Sequence, residues 1–379
     1  MNVKLLDLSQ QYKGMRSEVL KAVREVCDTQ SFILGSHVKG LEEEVADFCN
    51  VKHAVGVASG SDALLLSLMA IGVGPGDRVL TTPYTFFATA SAIVRLGATP
   101  VFIDIDRESY NIDPDGIEEY LRKAARRTSL RKSLKAIIPV HLFGQCADMS
   151  PILALARQYG LKVVEDAAQS IGSEYRGKRA GAIGDTGCLS FYPSKNLGGF
   201  GDGGMVLTNK KGLAERLRIL RVHGCKKKYY HQYIGVNSRL DEIQAAVLRL
   251  KLTRLTGWEE GRIANASRYD RLFKAVGLTD IVTLPVIHPG NHSIFNQYVL
   301  RVKKRDALRA HLAAKGIGSE IYYPVPLHLQ QCFREFGYKR GSLPVSERAA
   351  RETIALPIYP ELKAKEQRYV VETIGEFYG

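Results

Sequence analysis

The chain has 379 residues, of which 45% are hydrophobic and 24% charged, a composition typical of globular proteins. This length predicts two domains, because a chain of this size exceeds the length that usually folds around a single hydrophobic core. No apolar stretch is long enough to cross a bilayer, and segment 1–14 has no signal-peptide core, so we expect a cytoplasmic protein.

The net charge of +14 suggests nucleic-acid binding as one function class. The basic residues are dispersed, with short runs at 126–127, 226–228 and 303–305, and aromatic side chains do not interleave with them as base stacking requires. We therefore interpret most of them as solvated surface. The six cysteines are also scattered and show no metal-ligand spacing, which predicts isolated buried thiols.

Helical spacing of apolar residues predicts helices within residues 17–50, with a glycine-containing break between them. A small-residue strand then meets Ser59, Gly60, Ser61 and Asp62, where an apolar helix starts. Ser and Asp cap helices well, and the free N–H groups at a helix start bind phosphate. By itself this pattern predicts an ordinary capped helix, and beside a phosphate-bearing cofactor it would be the best phosphate site in the chain.

Apolar strands followed by turns or loops are predicted within residues 79–90, 98–105 and 135–145. After the first of them come Phe86 and Phe87, and aromatic residues at such a place either pack in the core or face a planar ring. His141, which follows a later strand, either lines the site as a polar group or is a core histidine, and we favour the interpretation as a core histidine. The alternation of strands and helices through residue 210 predicts an α/β layer architecture.

Two further stretches carry reactive side chains. In LKVVEDAAQSIG, a strand ends in Glu165 and Asp166, and carboxylates at the carboxyl end of a parallel strand face the ligand crevice of α/β proteins. In CLSFYPSKNLGGFGDGGMV, Lys195 follows a second apolar strand, and burial there would lower its pKa and favour the nucleophilic amine. An Asp for a pyridine nitrogen and a Lys for a Schiff base are what pyridoxal phosphate chemistry needs.

The motifs EDAAQS, SFYPSKNLG and GDGG together resemble those of the DegT/DnrJ/EryC1/StrS family of sugar aminotransferases. The resemblance covers nearly the whole chain. It implies pyridoxal 5′-phosphate as cofactor and an aspartate-aminotransferase-like fold (fold type I), in which a three-layer α/β large domain precedes a smaller α+β domain. We place the large domain at residues 1–255 and the small one at 256–379, and expect the last helix within 348–360.

By position in the family's motifs, the resemblance assigns the Schiff base to Lys195 and the ring nitrogen to Asp166. The other residues that it assigns to the cofactor are Ser61, the backbone of Asp62, Phe86, Gln169, Ser190 and Asn237. The residues that it assigns to the substrate are Arg239, Tyr322, Tyr323 and His328. Asn237 and Arg239 are expected to reach the site of the partner subunit, so the resemblance implies a homodimer with shared active sites.

The resemblance implies transfer of an amino group from L-glutamate to a nucleotide-linked keto sugar, for a surface polysaccharide or a secondary metabolite. Asp202, in GFGDGG, favours amination at C3 of a dTDP- or UDP-linked sugar, since relatives acting at C4 more often carry GEGG. Amination at C4 remains an alternative, as does a non-enzymatic regulatory or nucleic-acid-associated protein. A dehydrase branch of the family has His in place of the Schiff-base lysine, so Lys195 argues against it.

Overall fold

A computed structural model describes residues 1–379. It contains thirteen α-helices, which are α1 (Ser9–Thr29), α2 (Ser36–Phe48), α3 (Gly60–Ala70), α4 (Ala88–Val94), α5 (Pro114–Ala125), α6 (Thr128–Ser133), α7 (Met149–Tyr159), α8 (Lys211–Leu220), α9 (Glu242–Leu252), α10 (Leu255–Ala275), α11 (Arg305–Ala314), α12 (Pro344–Glu352) and α13 (Ala364–Tyr378).

It contains fifteen β-strands, which are β1 (His53–Val57), β2 (Arg78–Thr81), β3 (Thr99–Phe102), β4 (Leu134–Ile138), β5 (Lys162–Asp166), β6 (Glu174–Tyr175), β7 (Lys178–Arg179), β8 (Thr186–Ser190), β9 (Gly204–Thr208), β10 (Cys225–Lys227), β11 (Tyr230–His231), β12 (Val282–Thr283), β13 (Asn291–His292), β14 (Tyr298–Val302) and β15 (Thr353–Leu356).

Seven strands form the central sheet, in the order β1-β9-β8-β5-β4-β2-β3. Within it β9 is antiparallel to both of its neighbours, β1 and β8, and so runs opposite to the other six strands. The pairs among β2, β3, β4, β5 and β8 are parallel. The carboxyl ends of β5 and β8 therefore meet at the same edge, where Asp166 pairs with Cys188. This edge is where an α/β sheet presents side chains to a ligand.

Helices cover both faces of the sheet. Successive residues of β4, Ile137 and Ile138, belong to two different hydrophobic clusters, and so do Val163 and Val164 of β5. Because side chains alternate along a strand, these pairs identify one core on each side of the sheet. The predicted three-layer α/β architecture is therefore confirmed.

The C-terminal part has its own antiparallel sheet, in the order β12-β14-β15, and its own core. That core includes Tyr269, Tyr298 and Val370, and it also takes in Val3, which forms a β-bridge with Ile317. The first residues of the chain thus pack with the last third of it, while α1 and α2 pack against α9. The boundary at residue 255 stays a prediction.

The prediction of the last helix was wrong. Residues 348–360 contain the end of α12 and the whole of β15, and the last helix is α13. The apolar residues of β15 pair with β14, from Leu356 opposite Tyr298 to Thr353 opposite Arg301. This long-range pairing overrides the local helical pattern, as tertiary context often does.

None of the helices is long and apolar enough to cross a membrane. All six cysteines are free, and no group of His, Cys, Asp and Glu side chains could hold a metal ion. Three of the cysteines are buried, and Cys27 and Cys332 are exposed, so the prediction of buried thiols holds for only part of the set.

Candidate active site

The start of α3 lies against the end of β8. A Cβ atom added at Gly60 would lie 2.6 Å from Cβ of Ser190, and one added at Gly204 would lie 2.4 Å from the Ser59 carbonyl carbon. Only glycine permits this approach of backbone to backbone. This close packing places the predicted phosphate ligands Ser61 and Ser190 at the N-terminus of the same helix. A helix N-terminus favours the binding of an anion such as phosphate.

Ser59 caps this helix. Its Oγ accepts a hydrogen bond of 3.1 Å from the backbone N–H of Asp62. The Asp62 N–H, which the sequence analysis assigned to the phosphate, is thus engaged with the cap here. Sequence reasoning named Ser59 only as part of the capping segment, although Ser three residues before Asp is the usual pattern of such a cap.

Asp166 is buried at the end of β5, with 5% of its surface exposed. Its Oδ2 accepts a 2.7 Å hydrogen bond from the Thr89 hydroxyl, and its Oδ1 accepts one of 3.2 Å from the Ala168 N–H. Burial raises the pKa of this carboxyl, while the two hydrogen bonds and the charge of Lys195 oppose the increase. No sequence pattern indicated Thr89, because this residue of α4 lies 77 residues before Asp166 in the chain.

Lys195 follows β8 in a tight turn, in which its N–H donates to the Tyr192 carbonyl over 2.8 Å. Its side chain is half-buried. Loss of water around the ammonium lowers its pKa to about 8, although attraction to Asp166 acts in the opposite direction. A lysine with this pKa supplies a neutral amine near neutral pH, which is the form that attacks a carbonyl.

Glu165 has a structural role on the other face of β5. Its Oε2 lies 2.8 Å from Nε2 of His141, and its two oxygens accept hydrogen bonds from the N–H groups of Gly181, Ile183 and Gly184. Nδ1 of His141 accepts a hydrogen bond from the backbone N–H of the residue six positions later, so Nε2 donates to Glu165. The interpretation of His141 as a core histidine is confirmed, since it is fully buried.

The amide of Gln169, which follows β5, connects the central sheet to the loop that contains Tyr322 and Tyr323. Its Oε1 accepts a 2.7 Å hydrogen bond from the Phe143 N–H, and its Nε2 donates to the Tyr323 hydroxyl over 3.1 Å. Burial raises the pKa of Tyr323 well above its usual value. The carbonyl of Tyr322 accepts a 2.6 Å hydrogen bond from the Tyr84 hydroxyl, so both tyrosines are fixed in place.

Phe86 and Phe87 have different surroundings. Phe87 stacks on Phe333, with ring centroids 5.4 Å apart and an angle of 24° between the planes. Phe86 is 58% exposed, and its ring is tilted against that of Tyr323, with the ring centroids 6.3 Å apart. The Phe86 ring therefore offers a free face beside Gln169 and Tyr323, as a planar ligand requires.

Asn237, Arg239 and Asp202 line one polar cavity of about 600 Å³, to which Ser59 and Ile33 also contribute. Asn237 and Asp202 are exposed and Arg239 is half-buried. Ser238, which lies between Asn237 and Arg239 in the chain, is buried and accepts a hydrogen bond from the N–H of Ala58. The cavity thus opens beside the helix N-terminus, and contacts of Asn237 and Arg239 in a second subunit stay a prediction.

His328 is 1% exposed, and its Nε2 lies 3.2 Å from Oε1 of Glu347. Burial lowers the pKa of its imidazole, while the hydrogen bond to Glu347 acts in the opposite direction. The His328 side chain is thus buried and contacts Glu347 inside the protein, whereas the side chains of Tyr322 and Tyr323 are partly exposed. Its assignment to the substrate stays a prediction.

One of the basic runs has aromatic neighbours. In the hairpin of β10 and β11, Lys227 lies 5.1 Å from the Tyr230 ring centroid and Lys228 lies 5.2 Å from that of Tyr229. Both tyrosines are exposed, at 66% and 80%. Aromatic rings therefore do accompany the lysines of run 226–228, because the turn folds neighbouring side chains together.

The residues present fit pyridoxal 5′-phosphate. A helix N-terminus with serines fits a phosphate, the buried Asp166 fits a protonated ring nitrogen, and the exposed Phe86 fits a planar ring. Lys195, with a pKa lowered to about 8, fits an aldehyde. This donor set joins in one place the groups that such a cofactor needs.

Comparison with known proteins agrees with this fit. A model of the DegT/DnrJ/EryC1/StrS aminotransferase family matches residues 13–375. The chain is 50% identical to a protein of Geobacillus stearothermophilus described as a pleiotropic regulatory protein, over 100% of this chain and 99% of that one. It is 43% identical to the UDP-N-acetyl-3-dehydro-alpha-D-glucosamine 3-aminotransferase of Acidithiobacillus ferrooxidans, over 96% and 95% of the two chains.

A solved structure, that of Streptomyces venezuelae DesV in complex with a ketimine intermediate, superposes with a TM-score of 0.93. The two chains are 40% identical, and the match covers 99% of this chain and 98% of that one. The fold of that protein thus extends over nearly every residue described here.

Proposed function

The chain belongs to the DegT/DnrJ/EryC1/StrS aminotransferase family, and from this premise we propose its reaction. We propose that it transfers an amino group from L-glutamate to the C3 keto carbon of a UDP- or dTDP-linked sugar, with pyridoxal 5′-phosphate as cofactor. The observation that carries the proposal is the electrostatic attraction between the buried Asp166 and Lys195, whose pKa burial lowers to about 8.

The residues that would hold the cofactor are Ser61, Ser190 and the start of α3 at its phosphate, Phe86 at its ring face, Gln169 at its ring hydroxyl and Asp166 at its nitrogen. Support comes from their common place at the carboxyl edge of the sheet and from the approach that Gly60 permits. When bound, pyridoxal 5′-phosphate supplies an electron sink for the carbanion at the donor's Cα.

The protein's own groups move and hold the protons. The Lys195 amine takes the proton from Cα of L-glutamate in the first half-reaction, and it delivers a proton to C3 of the sugar in the second. The Asp166 carboxylate, held by the Thr89 hydroxyl, keeps a proton on the pyridine nitrogen. The half-buried position of Lys195 limits the water that competes for these protons.

We further propose that the site is completed in a homodimer, with Asn237 and Arg239 reaching the partner's cofactor phosphate and substrate. Three apolar residues near them, Phe32, Ile33 and Leu34, are 37–48% exposed. Ile33 forms a β-bridge with Asp241 and lines the same cavity as Asn237. An exposed apolar group beside the polar residues is what a two-fold interface would cover.

Amination at C3 is supported by Asp202 in the GDGG loop and by the relative that is a 3-aminotransferase. Amination at C4 is the alternative within the same chemistry. A regulatory function is favoured by one specific observation, the description of the relative that is 50% identical. A regulatory function would not require Lys195 and Asp166 to act together.

The first test is the absorbance spectrum of the purified protein with pyridoxal 5′-phosphate, before and after L-glutamate. We expect a near-visible band that moves toward the ultraviolet on addition of the amino acid. Lys195→Ala is expected to bind the cofactor without a covalent bond and to lose turnover. Absence of the band in the wild-type protein would contradict the proposal and favour the regulatory alternative.

The second test separates the positions on the sugar. The protein is incubated with L-glutamate and with 3-keto or 4-keto sugars linked to UDP or dTDP, and the product is assigned by NMR. We expect the new C–N bond at C3. A product aminated only at C4 would refute the C3 assignment and leave the rest of the mechanism in place.

A further inference from the structure

A second lysine with an unusual environment lies on the other side of the loop that carries Lys195. Lys251, in the last turn of α9, is 4% exposed. Burial alone lowers its pKa to about 8, because no carboxylate contributes to its surroundings. A buried ammonium without an acidic partner is costly, so its remaining contacts call for an explanation.

The Lys251 ammonium donates a hydrogen bond to the carbonyl oxygen of Gly198, three residues after Lys195. Its Nζ also lies 5.8 Å from the ring centroid of Phe200 and 5.8 Å from that of Trp258. A carbonyl dipole and two ring faces thus take the place of a counterion. The contacts connect α9 and α10 to the loop between β8 and β9.

The same face of α9 holds the loop at a second point. Gln244 lies seven residues before Lys251, which is two helical turns, and its Oε1 accepts a 2.7 Å hydrogen bond from the Phe200 N–H. Within the loop, the Gly199 N–H donates to the Phe191 carbonyl over 2.7 Å. Polar contacts therefore also fix the two residues that follow Gly198.

Apolar packing holds one side of this loop, because Leu197 is fully buried in a hydrophobic core of the central sheet. A cavity of about 520 Å³ borders it, lined by Pro193, Gly199, Phe200 and Lys251 together with the start of α1. A loop beside such a cavity has room to shift when a hydrogen bond is lost. The Lys251 contact therefore opposes a shift of the loop on the side that borders this cavity.

We propose that Lys251 is a positioning residue for Lys195. Its ammonium holds the Gly198 carbonyl and thereby keeps the Lys195 amine where it meets the cofactor aldehyde and the donor's Cα. This inference rests on the proposed function, because it takes Lys195 as the residue that bonds to pyridoxal 5′-phosphate. It adds a residue outside the cofactor pocket to the machinery of the reaction.

The test measures the covalent capture of Lys195, not turnover. Wild type, Lys251→Met and Lys251→Arg are mixed with pyridoxal 5′-phosphate, reduced with borohydride at set times, and the fraction modified at Lys195 is read by mass spectrometry. We expect capture in Lys251→Met to be slower by about 10-fold to 100-fold, since misplacement of a reacting group by about 1 Å has effects of this size. Lys251→Arg, which keeps the charged donor, is expected to restore most of the rate.

Amide hydrogen exchange across residues 194–199 gives a second readout. Lys251→Met is expected to speed exchange there, whereas Lys274→Met, a change of an exposed lysine in the last turn of α10, alters neither exchange nor capture. If Lys251→Met does not fold, Lys251→Gln takes its place, because its neutral and shorter side chain also loses the contact with the Gly198 carbonyl.

The outcomes separate the two proposals. Wild-type capture rates and exchange in a folded Lys251→Met, even with a lower melting temperature, would overturn the positioning role and leave the proposed function intact. Slow capture that Lys251→Arg does not restore would also overturn it. Absence of capture at Lys195 in the wild-type protein would instead refute the proposed function.

Discussion

Glu165 and Asp166 are adjacent in β5 and point to opposite faces of the sheet. Glu165 accepts hydrogen bonds from His141 and from a backbone turn, while Asp166 accepts one from Thr89 and faces the charge of Lys195. The sequence places both carboxylates at a strand end and does not distinguish them. Their different partners, all distant along the chain, give Glu165 a structural role and leave Asp166 for the chemical role that we propose.

The pH dependence of Lys195 is a prediction at this scale. Its pKa is lowered to about 8, so the nucleophilic amine is lost below that pH and fully present above it. We expect the rate of covalent capture of pyridoxal 5′-phosphate to rise as the pH is increased through about 8 and then to level off.

The measurement is best made in Lys251→Arg as well as in the wild type, because Lys251 titrates in the same range and arginine does not. A midpoint that stays near 8 in both proteins identifies Lys195 as the titrating group. A midpoint near the ordinary lysine value would show that Lys195 is not desolvated.

At the scale of elements, α3 combines two functions in neighbouring serines. Ser59 caps the helix through the Asp62 N–H, and Ser61 follows it in the first turn, beside Ser190 at the end of β8. The cap acts on the helix whether or not a ligand is bound. The hydroxyl of Ser61 has no such partner and is left for the cofactor phosphate in our proposal.

Paired variants test this division. Ser59→Ala is expected to lower the free energy of unfolding by about 1 kcal/mol, the usual effect of losing an N-cap. Ser61→Ala is expected to leave stability within about 0.5 kcal/mol and to weaken the binding of pyridoxal 5′-phosphate. Thermal unfolding of the cofactor-free proteins and a cofactor titration measure the two effects, and a reversed pattern would refute the assignment.

At the scale of the whole molecule, the site lies where the central sheet, the tyrosine loop of the C-terminal part and the cavity beside Asn237 meet. Gln169, which follows β5 of the central sheet, donates a hydrogen bond to Tyr323, and the first residues of the chain pack with the C-terminal core. The two parts are thus joined at the site itself. The exposed segment from Phe32 to Leu34 leaves room for a second subunit beside this cavity.

Complementation tests the shared site. Lys195→Ala and Asn237→Ala are each expected to be nearly inactive as homodimers, because each removes one subunit's contribution to both sites. After unfolding and refolding of an equal mixture, random pairing yields about one quarter of the wild-type sites intact. Activity that does not rise in the refolded mixture, with dimers shown by sedimentation, would place Asn237 in the site of its own subunit.

Much of the chemistry was predictable from short stretches of the chain. Lys195 and Asp166 each follow a recognisable strand, and the serines precede a recognisable helix, so local pattern was enough to name them. Thr89 and Lys251 could not be found in this way, since their partners Asp166 and Gly198 are 77 and 53 residues away. The hydroxyl and the amine gain their roles only when distant segments pack together.

The sequence by itself determined the α/β layers and the family, and it was enough to propose Lys195 and Asp166 as the reactive residues, because strand and helix periodicity and local motifs are properties of neighbouring residues. Only the tertiary structure decided that Glu165 is structural, that His328 is buried against Glu347, and that residues 353–356 form a strand instead of a helix. Those outcomes depend on burial and on pairing between distant segments, and these are set when the whole chain packs around its cores.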